Sequence, residues 1–511
     1  MLSCSPTASS APSPTTSGWL FDYVSVLQNT AVSGANRALT MPEDVNIMNV
    51  EDLGNSIFIR PCYPELWGLI SNVIERTSRQ SKRRHRIFRF IVMGIPGIGK
   101  TTFLYYLLHV LIKQKKCVVF EDFKDLMFMV QKNGEIFEGK RGDSVFEAPL
   151  ADSTAYYLFN CGGSKGTMTP LLQSVGAVTI AASSPSEDHT KELSKTRHCT
   201  FYMPMWTLDE LQRCRAGCDI PLTPTVVDAR FVVWGGVARQ VLFTGDDEAL
   251  SNQLETALTR FEENPQDVLK SVGGNDTRTV SHMLLHYNVD ETSFKKYSIV
   301  LASDYIGDRM CDISLKGVVE RIATLQTDTQ DSGLRGRLFE HFAHRILPLG
   351  SKAFGDTAKL RMKMFPFPFP PGGKSVPIPD VASSRYIRNI SDLQVFSPSD
   401  SNIYLKPTVP NFPVVDSLVT PRTGYQITVS NMHDIMIPPF TALLDKLGCT
   451  KKLKFRLVWV VPADVDFNCK KLPASIVERV EQFILKLPLL VPPSPAFADQ
   501  SDQSPAKKQK R

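Results

Sequence analysis

The sequence predicts an α/β protein built on a parallel sheet, with a second α/β segment toward the C-terminus. Three observations predict it. A glycine-rich turn, Gly94-Ile95-Pro96-Gly97-Ile98-Gly99-Lys100-Thr101-Thr102, separates an apolar run from Ile87 to Met93 and a helical pattern from Thr101 to Lys113. Short apolar runs then alternate with helical stretches, the rhythm of crossover units that lay strands side by side in one direction. Near residue 331 the composition shifts, and new strand and helix patterns follow.

Taken in order, residues 1 to about 18 are Ser/Thr/Pro-rich and predict disorder. Residues 19–56 carry short mixed patterns. Pro64 to Arg79 predicts an amphipathic helix, with Leu66, Leu69, Ile70 and Ile74 on one face. After the Ile87–Met93 strand, Cys117–Glu121, Ala155–Phe159, Ala177–Ser183 and Thr200–Met203 predict strands two to five. Residues 207–330 read as mainly helical. Phe365 to Pro371 alternates Phe and Pro and, with Gly372-Gly373, reads as a stiff loop. Tyr425–Ser430 and Arg456–Val461 predict strands. Ser475–Leu487 predicts a helix with Ile476, Val477, Val480, Phe483 and Ile484 on its apolar side. From Pro492 the chain is Pro/Ser/Ala-rich, predicts disorder, and ends Lys507-Lys508-Gln509-Lys510-Arg511. The expected domains are 1–56, 57–240, a helical extension over 241–330, 331–490 and a tail over 491–511.

A chain of 511 residues has room for two or three domains. The net charge of +6 permits nucleic-acid binding without demanding it. Ten cysteines lie scattered, with no C-x-x-C pair, which points to reduced usage and not to a disulfide framework. Cys214 and Cys218, four apart, read as small packed residues. No apolar run is long enough to span a membrane. The first residues lack a basic n-region and an apolar h-region, so no conventional secretory signal is expected. Two basic runs, Lys82 to Arg86 and the C-terminal cluster, read either as solvated segments or as nucleic-acid contacts and nuclear import signals.

The glycine turn fits the phosphate-binding loop G-x-x-x-x-G-K-[ST]. Gly94, Gly97 and Gly99 let backbone N–H groups turn toward a polyphosphate, at a helix start whose partial charge favours anions. Lys100 is expected to reach the β- and γ-phosphates, and Thr101, followed by Thr102, to bind Mg²⁺. ATP or GTP is the expected nucleotide. The third strand ends at Asn160, where such enzymes usually carry an Asp for Mg²⁺. Glu121 and Asp122, after the second strand, are the acids able to substitute. Arg239, in Trp234-Gly235-Gly236-Val237-Ala238-Arg239, reads either as a γ-phosphate sensor or as a solvated helix-start residue.

A second constellation lies in the C-terminal segment. Glu340 sits on a predicted helix, and Asp416 ends the stretch Phe412 to Asp416. Gln426 and Thr428, at i and i+2 on the next strand, share a face across a hairpin closed near Thr420 to Gly424. These oxygens suit Mg²⁺ and phosphodiester chemistry, or are ordinary hairpin polarity. His282 and His286, four apart on a helical stretch with Asn288 nearby, offer a His-based metal alternative, or are structural.

With these residues in hand, the chain resembles the Crinkler effectors of oomycetes and chytrid fungi, and the related retrotransposon hot spot proteins of trypanosomes. The matching stretches are Phe58 to Tyr63, the phosphate loop, Tyr157 to Asn160, Tyr202 to Leu211, Trp234 to Arg239, Phe412 to Asp416, Tyr425 to Ser430 with His433, and Val460 to Pro462. The resemblance implies a phosphate-loop NTPase over 57–240 and a restriction-endonuclease-like, PD-(D/E)XK-type nuclease over 331–490. It carries Glu340, Asp416 and Gln426 over as catalytic and metal-site residues, with Thr428 where many relatives place Lys. An HNH-like motif in some relatives keeps the His282 reading open. The resemblance also implies a secreted effector that enters the host nucleus, contacts host DNA and provokes cell death. Nuclear import machinery is then a partner, and a homo-oligomer is compatible. The N-terminal header of the family, with its Leu-Phe-Leu-Ala-Lys-like motif, has no match in Trp19-Leu20-Phe21-Asp22, so delivery to a host is implied by the rest of the chain only, by an unconventional or unrecognised route. Action in the nucleus of the producing cell, or NTP-switched binding of DNA or protein without catalysis, are the alternatives.

Overall fold

A computed structural model describes residues 13–30, 37–51, 54–78, 88–122, 126–161, 176–185, 197–270, 282–325, 331–355, 359–364, 375–387, 393, 401–407 and 414–492. The basic run Lys82 to Arg86, the Phe/Pro loop, Phe412-Pro413 and the C-terminal basic cluster lie outside the described residues. The chain divides into two compact units, Met1–Arg260 with Asp267–Ile306, and Phe261–Gln266 with Gly307–Arg511. The division falls inside the expected extension over 241–330, not at residue 331. Among the described residues no helix is long and apolar enough to cross a membrane.

In the first unit, β1 (Ala38–Thr40) and β2 (Ser56–Phe58) pair antiparallel ahead of the Cys62–Ser78 helix. The main sheet holds β3 (Arg89–Met93), β4 (Val118–Glu121), β5 (Met127–Val130), β6 (Ile136–Gly139), β7 (Tyr156–Asn160), β8 (Val178–Ser183) and β9 (Cys199–Tyr202). Their order is β6-β5-β4-β7-β8-β3-β9. The run β4-β7-β8-β3-β9 is parallel, and the antiparallel β5 and β6 extend one edge. The central strands read as continuous apolar runs because such a sheet is covered on both faces. β3 lies between β8 and β9, so its carboxyl end opens where the strand order reverses, the place where such sheets bind ligands. The Lys100–Lys113 helix starts there. The five parallel strands lie within a residue or two of the predicted runs. The β5–β6 hairpin was not expected, although Asn133-Gly134, with Gly134 at φ +91°, is a hairpin turn signal.

Residues beyond 207 are less helical than their spacing predicts. Helices span Leu208–Gly217, Pro224–Trp234 and Asp247–Glu263, but β10 (Leu285–Val289) and β11 (Tyr297–Leu301) then form a hairpin. His286 is therefore on a strand. Leu285, Tyr287 and Val289 are buried and Asn288 is exposed, while Asp290 accepts hydrogen bonds from Thr292 and Ser293 to close the turn. Burial and turn chemistry outweigh the i, i+4 spacing of the two histidines.

The second unit is α/β with a mixed sheet. Its strands are β12 (Arg361–Met364), β13 (Ser375–Pro377), β14 (Ser383–Ile387), β15 (Ile403–Pro407), β16 (Ser417–Val419), β17 (Thr423–Ile427), β18 (Phe455–Pro462) and β19 (Val480–Leu487). They stand in the order β13-β12-β19-β18-β17-β16-β15-β14. The Ile437–Lys446 helix packs Phe440, Leu443 and Leu444 against Phe455, Leu457 and Trp459. The Ser332–Ile346 helix buries Leu338, Phe339 and Phe342. The helix expected over Ser475–Leu487 is instead a short turn, Ala474–Val477, followed by β19. Val480, Phe483 and Ile484 fit a helical stripe, but all eight residues of β19 pair in parallel with β18, and β12 pairs with its other edge. Partners on both edges satisfy the backbone, which overrides the local pattern.

Candidate functional site

The loop after β3 is shaped by what a side chain would strike. Gly97 and Gly99 have φ of +85° and +99°. A Cβ at Gly97 would lie 2.6 Å from Arg239 Cβ, and the Arg239 amide donates to the Gly97 carbonyl at 3.2 Å. A Cβ at Gly94 would lie 2.6 Å from the Ile98 side chain. Lys100 opens the helix, and its ammonium donates to the Ile95 carbonyl at 2.9 Å. Burial, and then the neighbouring Arg239, push the Lys100 pKa down to about 7. The half-buried Lys100, the exposed Arg239 beside it and the helix N-terminus make a site for a polyphosphate.

Thr101 and Asn160 meet, and an acid joins them. The Thr101 hydroxyl donates to Asn160 Oδ1 at 3.1 Å, and Asn160 Nδ2 donates to Asp122 Oδ1 at 2.7 Å. The carboxylate absent from the end of β7 thus stands just past the end of the neighbouring β4. Glu121 is committed elsewhere, to Arg141 Nε at 2.7 Å and to the Tyr157 hydroxyl. Thr102 hydrogen-bonds the Tyr63 hydroxyl.

A second layer, whose role the sequence did not reveal, grips the loop from behind. Tyr63 donates to the Gly99 carbonyl and Trp206 Nε1 to the Ile98 carbonyl, each at 2.8 Å. Arg60, 1% exposed, donates to the carbonyls of Ile98 (3.2 Å), Pro204 (2.9 Å) and Met205 (2.9 Å). Its guanidinium pairs with Glu210 at 3.2 Å and lies 4.5 Å from the Trp206 ring centre. Glu210 also completes a capping box with Thr207. The T-x-x-E spacing signals that helix start, but nothing in the sequence says that the Glu also holds Arg60.

In the second unit, Asp416 is half-buried against the β16–β17 hairpin. Its Oδ2 accepts from Gln426 Nε2 at 2.9 Å and from the Ile427 amide at 2.6 Å. Burial, and then the charge of Glu340, raise the Asp416 pKa to about 7. Glu340, on the Ser332–Ile346 helix, accepts from Arg337 at 2.9 Å and lies 4.0 Å from His344 Nε2. The structure thus gathers Asp416, Gln426 and Glu340. Thr428 lies one residue past β17: its amide donates to the Val460 carbonyl at 2.9 Å, and its hydroxyl accepts from the Ser430 amide at 3.1 Å. Among the described residues no group of three or more His, Cys, Asp or Glu is placed to hold a metal. Asp416, whose proton affinity is raised by burial and by the neighbouring Glu340 charge, and Glu340 itself do fit a cation, with Gln426 turned to offer its oxygen.

His282 and His286 belong to the first unit, near Lys100, whose charge acts on His282 after burial in pushing its pKa down to about 4. His286 is buried, which pushes its pKa down to about 3. Neither joins the Asp416 set.

Two curated proteins, Crinkler effector proteins 16 and 15 of Phytophthora infestans, are each 24% identical to the chain over 383 residues. The match covers 70% of this chain and 58% of each relative. The chain is related to the Crinkler family. It thus spans less than two thirds of the Crinkler proteins it matches. No protein-family model matches the chain. Two solved structures align with part of it. The RuvB Holliday junction branch migration motor of Thermotoga maritima is 13% identical, covering 57% of this chain and 89% of that one, at a TM-score of 0.24. AMPPCP-bound DnaA of Aquifex aeolicus is 12% identical, covering 56% and 86%, at a TM-score of 0.23. Overlap at that level adds nothing to the loop's own geometry, on which the P-loop-type nucleotide fold of this Crinkler relative stands.

Proposed function

We propose that the chain is an effector that couples an NTP-binding, slowly hydrolysing P-loop unit to a metal-dependent nuclease acting on DNA. The observation that carries this reading is the half-buried Lys100 at the helix start, with the exposed Arg239 packed on Gly97, over left-handed Gly97 and Gly99. ATP or GTP would lie with its phosphates on Lys100 and the loop amides. Thr101 and Asn160, backed by Asp122, would hold Mg²⁺, which when bound neutralises phosphate charge. In the second unit Asp416, Glu340 and Gln426 would hold a divalent ion able to polarise a scissile phosphodiester. The Crinkler relationship supports a path by unconventional secretion into a host nucleus, where DNA damage leads to cell death. Import receptors would read the basic tail.

A second reading, an NTP-switched binding effector with a catalytically weak second site, is favoured by one observation. The Thr428 hydroxyl is engaged by Ser430, so no side chain there supplies the charge that a Lys would give a transition state. Supercoiled plasmid incubated with Mg²⁺, with and without ATP, separates the two readings. The nuclease reading expects slow nicking that Asp416→Ala abolishes while DNA binding persists. Equal nicking by Asp416→Ala, or none by either protein, overturns it.

A further inference from the structure

Beside the acid pair lies a cavity that neither constellation explains. It has a volume of about 110 Å³ and sits at the β14 edge of the second unit's sheet. That is well under the roughly 300–1,000 Å³ of small-molecule pockets, so it can enclose a phosphate group but not a whole nucleotide. Its charged lining is Arg345, Arg385 and Lys406 against one carboxylate, Asp308. Asp308 fixes Lys406 at 3.0 Å, and Asp312 holds Arg345 at 2.5 Å. Among the described residues Arg385 has no carboxylate partner, so the cavity keeps an uncompensated positive charge. Tyr386, 63% exposed, also lines it and offers an aromatic surface in water. An exposed aromatic beside cations suits a nucleobase and its phosphate.

The cavity shares a wall with the candidate nuclease site. His344 Nδ1 and the Tyr404 hydroxyl, both lining it, lie 2.7 Å apart, and His344 Nε2 lies 4.0 Å from Glu340 Oε1. The His344 ring thus stands between the cavity and Glu340. We infer that this cavity binds a single-stranded nucleic-acid segment, with a phosphate among Arg345, Arg385 and Lys406 and a base stacked on Tyr386. It rests on the nucleic-acid reading of the second unit and assigns that unit a substrate form: a single strand or a frayed end in place of an intact duplex.

The test uses the full chain in metal-free buffer and a fluorescent oligothymidine, with a blunt duplex as comparison. Arg385 and Tyr386 are exposed on an edge strand, so their variants should keep the wild-type melting temperature. Arg385→Ala should weaken oligothymidine binding about tenfold, and flatten the slope of log affinity against log salt by about 0.7. Tyr386→Ala should weaken it at least fivefold with the slope unchanged, and Tyr386→Phe should restore it. Wild-type binding by both variants overturns the inference, as does equal sensitivity with the duplex. A protein that with Mg²⁺ cleaves neither plasmid nor oligothymidine yet shows these losses removes the nuclease reading and leaves the cavity assigned. A protein that nicks equally well with Arg385 and Tyr386 replaced removes the cavity assignment and leaves the nuclease.

Discussion

Replacing Arg60 with Ala tests how the phosphate loop is held. The change removes donors to the carbonyls of Ile98, Pro204 and Met205 and to both oxygens of Glu210, at 2.9–3.2 Å. It also leaves Glu210, 7% exposed, as a buried carboxylate without its cation. Breaking a buried pair in this way costs about 3–5 kcal/mol. That is a large share of the roughly 5–15 kcal/mol that holds a domain folded. Arg60→Lys should recover only part of it, because an ammonium cannot reach three carbonyls and a carboxylate in one plane. The assay is urea denaturation of the full chain, fitted for the transition that Mg-ATP shifts, so that the second unit's unfolding is kept apart. The loop should also loosen at Ile98, and Mg-ATP affinity should fall. A loss under about 1 kcal/mol with unchanged affinity would refute the claim that Arg60 braces the loop.

Other expectations follow from single contacts. Asn160→Asp sets a carboxylate against Asp122, so the melting temperature should fall without nucleotide and recover with Mg-ATP; an unchanged value without nucleotide contradicts the Asn160–Asp122 contact. Burial favours the neutral form of Asp308, but the His341 hydrogen bond and the Lys406 ammonium outweigh it and hold the carboxyl well below the usual range. Its contribution should be full above about pH 4, the unfolded value, and shrink as pH falls below that. Denaturation of wild type and Asp308→Asn from neutral pH downward should therefore converge only in acid, and a constant gap would contradict the pairing. Deleting residues 506–511 from a fluorescent fusion should raise its cytoplasmic fraction, and an unchanged distribution would move the import signal elsewhere.

The parallel sheet was legible because buried strands write themselves as apolar runs, and because the loop between β3 and its helix is fixed by local backbone needs. β19 was not, since its spacing suits a helix equally well and only pairing with β18 and β12 decides. Asp416 and Gln426 meet because hairpin geometry is local. Thr428, one residue past β17, keeps its amide on the Val460 carbonyl, but its hydroxyl is taken by the local Ser430 amide. The grip on the loop was hidden for another reason. Arg60 and Trp206 bind backbone carbonyls distant in sequence, such as Ile98, and acceptors of that kind leave no mark on residue type.

The central claim is that Lys100 sits in a polyphosphate site, and calorimetric titration with Mg-ATP tests it most directly. Lys100→Ala removes the half-buried ammonium while Arg239 and the loop amides remain. The account predicts binding by the wild type and at least tenfold weaker binding by the variant, about 1.4 kcal/mol. Equal affinity in the two proteins would contradict it.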